Sequence, residues 1–80
     1  MKREILPIQQ TQKPILSNYI NIEAQPIADV IYFNWTLYND DTYVNNGSFI
    51  IFGEDIDLYN ADTEFMWDYV GIQLKLTYIE

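Results

Sequence analysis

Asp40 beside Asp41, and the group Glu54, Asp55 and Asp57, are the residues of this chain whose types and spacing come nearest to chemistry. Carboxylates so placed can hold a hard cation such as calcium, or work as a pair in which one acid stays protonated while the other is ionised. The calcium reading fails on spacing. An EF-hand loop needs oxygen ligands at alternate positions, a central glycine and a terminal glutamate, and counting from Asp55 the twelfth position is Met66. The paired-acid reading fails for want of any group that would tune one carboxyl against the other. The chain has no histidine and no cysteine, so the common nucleophile and base pairs, thiolate metal sites and disulfides are all excluded. No glycine-rich run resembles a phosphate cradle. The expectation is a protein that is not an enzyme, with no catalytic residue, no cofactor and no metal.

The charges are distributed unevenly. Net charge is −8, and between Pro14 and Leu74 there is no lysine or arginine, whereas Glu23, Asp29, Asp62, Glu64 and Asp68 join the five carboxylates above in that stretch. Lys2, Arg3 and Lys13 against Glu4 leave the first thirteen residues net positive. A body without cations cannot neutralise phosphates, which argues against binding nucleic acid or an anionic membrane. The acidic surface either serves solubility alone or receives the basic segment of another copy. No apolar run is long enough for a membrane span or a secretory signal, so the expectation is a soluble protein made in a cytoplasm.

The elements that would position any site centre on the stretch from Asp29 to Phe52. In its first half Ile31, Phe33, Trp35 and Leu37 share one parity and form a purely apolar face, while Tyr32, Asn34, Thr36 and Tyr38 form a mixed one. The segment Asn39 to Gly47 carries turn residues, and Phe49 and Ile51 alternate with Ile50 and Phe52 beyond it, which predicts a hairpin. Ile50 and Phe52 make the second face of that strand too apolar to be left wet, so a helix or another subunit is expected to cover it. Ile20 and Ile22 alternate with Tyr19, Asn21 and Glu23 in a preceding strand from Ser17 to Glu23, ended by Pro26. After Gly53 a helical turn over Glu54–Asn60 tucks in Ile56 and Tyr59. A helix capped by Asp62 or Asn60 follows, with Phe65, Tyr69, Ile72 and Leu76 as its apolar stripe and Trp67 off that stripe. Leu74 to Glu80 can continue the helix or form a short terminal strand.

The expected fold class is α+β: an antiparallel three-stranded sheet with a possible short C-terminal strand, packed by one C-terminal helix. Residues 17–80 would be that single domain. Residues 1–16, with Pro7 and Pro14 and no sustained period, would be an extended N-terminal arm. At eighty residues, with no disulfide, such a domain has a marginal core. The seven tyrosines and two tryptophans suit surfaces buried at one end and wet at the other, as at interfaces. The expected protein-interface residues are Lys2, Arg3, Ile5, Leu6 and Ile8 on the arm, Ile50 and Phe52 on the sheet, and Trp67. On this reading removal of residues 1–13 spares the body and abolishes assembly.

The run Tyr32-Phe33-Asn34-Trp35-Thr36-Leu37-Tyr38, then Asn46-Gly47-Ser48-Phe49-Ile50-Ile51, Gly53-Glu54-Asp55, Asn60 to Phe65 and Trp67-Asp68-Tyr69-Val70, resembles small structural proteins of tailed bacteriophages. The resemblance covers roughly residues 29 to 76 and departs from the phage pattern at Tyr59–Asn60, where that pattern often has a tryptophan. It implies a virion component, such as a capsid decoration, head-fibre or tail accessory protein. Its partners would be copies of itself and other virion structural proteins, in a homo-oligomer that binds neither nucleic acid nor membrane. The alternative is a small acidic phage-encoded inhibitor that mimics DNA and blocks a nucleic-acid-binding host defence enzyme.

Overall fold

The computed structural model describes residues 2–9 and 15–79. Four strands follow one another as an antiparallel meander: β1 (Lys2–Ile8), β2 (Ser17–Ile27), β3 (Val30–Asn39) and β4 (Thr42–Ile51). Two helices complete the chain, α1 (Glu54–Ala61) and α2 (Glu64–Leu74). The α+β class is the expected one, with one strand and one helix more than the sequence suggested. Residues 17–80 therefore do not hold the whole sheet.

The additional strand comes from the segment read as an arm. β1 pairs with β2 from Lys2 opposite Asn21 to Ile8 opposite Ser17, and the register shifts between Glu4 and Ile8, the interval that contains Pro7. A proline cannot donate to a ladder, but an edge strand with an interrupted ladder loses nothing by it. Pro26 is tolerated for a related reason. Among the described residues β1 reaches only to Asn21, so beyond that point β2 has a described strand on one side alone, and it continues past Pro26 to Ile27.

The β3–β4 hairpin turns on two residues, Asp40 and Asp41, and not on the longer polar segment. Asp40 takes a left-handed conformation (φ 53°), which a short polar side chain tolerates. β4 therefore absorbs Val44 to Gly47. Leu37 faces Asn45 while Tyr38 faces Tyr43, and the residue left over, Val44, turns into the core.

Ile20, Phe33, Leu37 and Ile51 line the covered face of the sheet, all almost fully buried. α2 meets them with Met66, Trp67, Val70 and Gly71, one position off the expected stripe. Phe65 and Tyr69 are half-buried and complete a ring cluster with Phe33, at centroid distances of 6.5 and 5.8 Å. Ile72, assigned to that stripe, is 75% exposed. Leu76 leaves the stripe because α2 stops at Leu74: Lys75 goes left-handed (φ 58°), and Leu76 N–H returns to Gly71 O at 2.8 Å. The N-cap of α2 is Thr63 and not Asp62 or Asn60: Asn60 lies within α1, and Asp62, one residue before the cap, accepts Glu64 N–H on its Oδ1 at 3.0 Å. α1 is a full helix over the predicted helical turn, with Ile56 and Tyr59 packed against the core.

The chain then closes on its own N-terminal strand. Tyr78 bridges Ile5, Leu6 N–H donates to Thr77 O at 2.9 Å, and Ile79 N–H donates to Glu4 O at 3.0 Å. The short C-terminal strand is thus an isolated bridge that covers the outer edge of β1.

Candidate functional site

The helices seal one face of the sheet, and the other face stays open because β2, β3 and β4 alternate apolar with polar side chains. Cross-strand register sorts the open face into rows. Glu4, Tyr19, Tyr38 and Tyr43 form one row; Lys2, Asn21, Thr36 and Asn46 form the next. Beyond these lie Glu23, Asn34 and Ser48, then Gln25, Tyr32 and Ile50. The face therefore grades from tyrosine through amide and hydroxyl to an apolar end, where Ile27, Ile50 and Phe52 are exposed, Phe52 at 68%.

The tyrosine end is organised by Lys2. Its Nζ lies 4.9 Å from the centre of the Tyr38 ring and 5.3 Å from that of Tyr19. It donates to Asp41 Oδ1 at 2.6 Å and to Asp40 O at 2.9 Å. That hydrogen bond, with the charge behind it, holds the Asp41 carboxyl below the usual carboxylate range. Asn18 fixes the same turn, accepting Asp40 N–H at 2.8 Å and donating to Asp40 Oδ1 at 3.0 Å. Asp40 and Asp41 are therefore held by neighbouring strands. Among the described residues no three carboxylates come together in a way that could hold a metal ion. Nor is any helix of these residues long and apolar enough to cross a membrane.

The residues expected at an interface separate into two groups. Ile5 is fully buried, Trp67 lies in the core, and Ile8 is half-buried against it. These three stabilise the chain's own fold and are not presented to a partner, because the supposed arm is a strand with a core-facing side. Arg3 is likewise engaged at home: it donates from both terminal nitrogens to Glu64 at 2.7 and 2.9 Å and lies over Trp67. The two basic side chains thus dock on the acidic body of their own molecule. Leu6, Ile50 and Phe52 remain exposed, so the second face of β4 is left uncovered by the helices. Sequence reasoning missed Tyr19, Tyr38 and Tyr43 as one row. Their parity within each strand was legible, but their alignment depends on the bulge at Val44, which brings Tyr43 opposite Tyr38.

No family model, curated protein or solved structure matches this chain.

Proposed function

We propose that this chain is a non-enzymatic assembly protein that binds copies of itself and other proteins through its uncovered sheet face, as a structural component of a bacteriophage particle. The observation that carries the reading is the asymmetry of the sheet. One face is packed by two helices, and the other runs from a row of tyrosines at one end to exposed Ile50 and Phe52 at the other. Exposed aromatic and aliphatic side chains grouped at one end of a sheet are what a protein interface uses, and they are a liability for a chain that works alone. The phage setting rests on the sequence resemblance across residues 29 to 76. The DNA-mimic alternative draws less support, because Asp41 and Glu64 are already paired with Lys2 and Arg3 of the same chain. Mimicry requires carboxylates free to replace phosphates.

The test is density-gradient purification of phage particles from cells that encode the chain, followed by mass spectrometry. The reading expects the chain to band with the particles in stoichiometric amount. A chain left in the unbanded fraction in complex with a nuclease would contradict it.

A further inference from the structure

The two edges of the sheet are treated differently. β1 carries Lys2, Arg3, Glu4 and Pro7, has an interrupted ladder, and is covered by Thr77–Ile79 of the same chain. Charge, proline, irregularity and a covering segment are the devices by which proteins keep an edge strand from pairing with another chain. β4, at the other edge, has none of these between Asn46 and Ile51: the run Asn-Gly-Ser-Phe-Ile-Ile contains no charge and no proline, and among the described residues no strand lies beyond it. In an antiparallel pair, alternate residues of an edge strand aim their backbone N–H and C=O groups away from the sheet. The Asn46–Ile51 stretch is thus a template with no described strand beyond it, bordered on the open face by exposed Ile50, with Phe52 just past its end.

We infer that β4 pairs antiparallel with β4 of a second copy, joining two four-stranded sheets into one continuous sheet; this deepens the assembly reading and rests on it. A strip without charge matches a strand without charge, and the same edge of a second copy is one; charge then decides where that copy can dock. Two bodies of net charge −8 repel, and they can approach only along a strip that carries no carboxylate. The Asn46–Ile51 edge is such a strip. Pairing about a two-fold axis is self-complementary and closes, so it yields a discrete dimer and not a fibre. It also brings Ile50 and Phe52 of each copy beside the partner's strand. At the rims, Asp40 and Asp41 of one copy approach Glu54 and Asp55 of the other. That repulsion weakens with salt, while backbone pairing and apolar contact do not. Added salt therefore tightens the dimer, whereas docking driven by opposite charges would loosen.

The experiment is sedimentation velocity on the intact chain from micromolar to sub-millimolar concentration, at low and high sodium chloride. Two variants are compared with the parent, Ser48→Glu on the β4 edge strand and Ile72→Glu on the helical side. Each adds one carboxylate at an exposed position, and circular dichroism checks that each is folded. The expected result is a monomer–dimer equilibrium that tightens with salt, is weakened by about tenfold or more in Ser48→Glu, and is unchanged in Ile72→Glu. An oligomer that persists in Ser48→Glu, or that is lost in Ile72→Glu instead, overturns edge pairing and leaves the assembly reading standing. A monomer throughout overturns edge pairing and self-association together, while association with particles remains separately measurable.

Discussion

The Arg3 guanidinium carbon lies 4.1 Å from the centre of the Trp67 ring, which places a cation from the first strand on an aromatic of the last helix. Glu64, one turn earlier on that helix, receives both terminal nitrogens of the same guanidinium. Arg3 thereby pins β1 to α2. Arg3→Ala should lower stability by about 0.5–1 kcal/mol from the lost stacking alone, and Arg3→Lys should not restore it, because an ammonium can neither fork onto a carboxylate nor lie flat on an indole. Chemical denaturation of the three proteins checks this.

The same contacts set the acid limb of stability. The hydrogen bond from Arg3 lowers the Glu64 pKa, and the hydrogen bond from Lys2 lowers that of Asp41. A carboxyl with a lower pKa in the folded state stabilises the fold above its ordinary titration range and loses that contribution as pH falls through the lowered value. Melting temperature should therefore decline below the ordinary carboxylate range, and the decline should be shallower in the Lys2→Ala, Arg3→Ala double variant. An equally steep decline in that variant would assign the acid limb to other groups.

Tyr78 governs the alkaline side. Burial, opposed in part by the charge of Arg3, pushes its pKa up to about 12, and its hydroxyl donates to Trp67 O at 2.6 Å. The folded state thus favours the neutral phenol. Its contribution is complete below the ordinary tyrosine pKa of about 10 and is lost as pH rises through the folded value. Ultraviolet titration should show one phenol ionising after the exposed ones, coincident with the onset of alkaline unfolding. Tyr78→Phe should remove that late transition.

At two glycines the space around the backbone decides what an added side chain does. Gly71 lies within α2, where alanine is worth about 1 kcal/mol more than glycine by helix propensity. A Cβ there would sit 2.8 Å from Tyr78 Cε2, and that ring is held by its hydroxyl bond and by the bridge to Ile5. Overpacking of about 1–3 kcal/mol outweighs the propensity gain, so Gly71→Ala should destabilise. In a Tyr78→Ala background its sign should reverse. Gly47 meets the same limit: a Cβ would lie 2.5 Å from Cζ2 of the buried Trp35, and Gly47→Ala should destabilise unless Trp35 is shortened as well. Thermal melts of the single and double variants decide both.

Much of this was legible in the residues, and what was missed has identifiable causes. The face of β3 was readable because strict alternation of Ile31, Phe33, Trp35 and Leu37 has one physical interpretation, and all four are buried. β1 was not readable. Its strand character depends on pairing with β2 and on the tail at Tyr78, both remote in sequence, while its proline and charges argue locally against a sheet. Leu76 left the stripe of α2 because the helix terminates at Lys75, a left-handed residue that is not glycine. Of the expected interface residues, Ile50 and Phe52 kept an exposed position, whereas Ile5 and Trp67 went to the core with β1.

That correction reverses an expectation about truncation. Ile5 is fully buried against the helical layer, and β1 supplies the strand on which the tail closes. Ile5→Ala should cost about 2–5 kcal/mol, a large part of the stability of a domain this small. Deletion of residues 1–13 should unfold the body instead of sparing it. Retention of the parent circular-dichroism spectrum and melting temperature after that deletion would return β1 to the status of a dispensable arm.

The central claim is that the sheet is closed by its own tail at β1 and completed by another molecule at β4. Hydrogen–deuterium exchange, read by mass spectrometry at low and high protein concentration, tests both halves in one measurement. Amides of Lys2–Ile8 should be protected equally at both concentrations, and amides of Asn46–Ile51 should slow as concentration rises. Rapid exchange throughout β1, with β4 indifferent to concentration, would contradict the account.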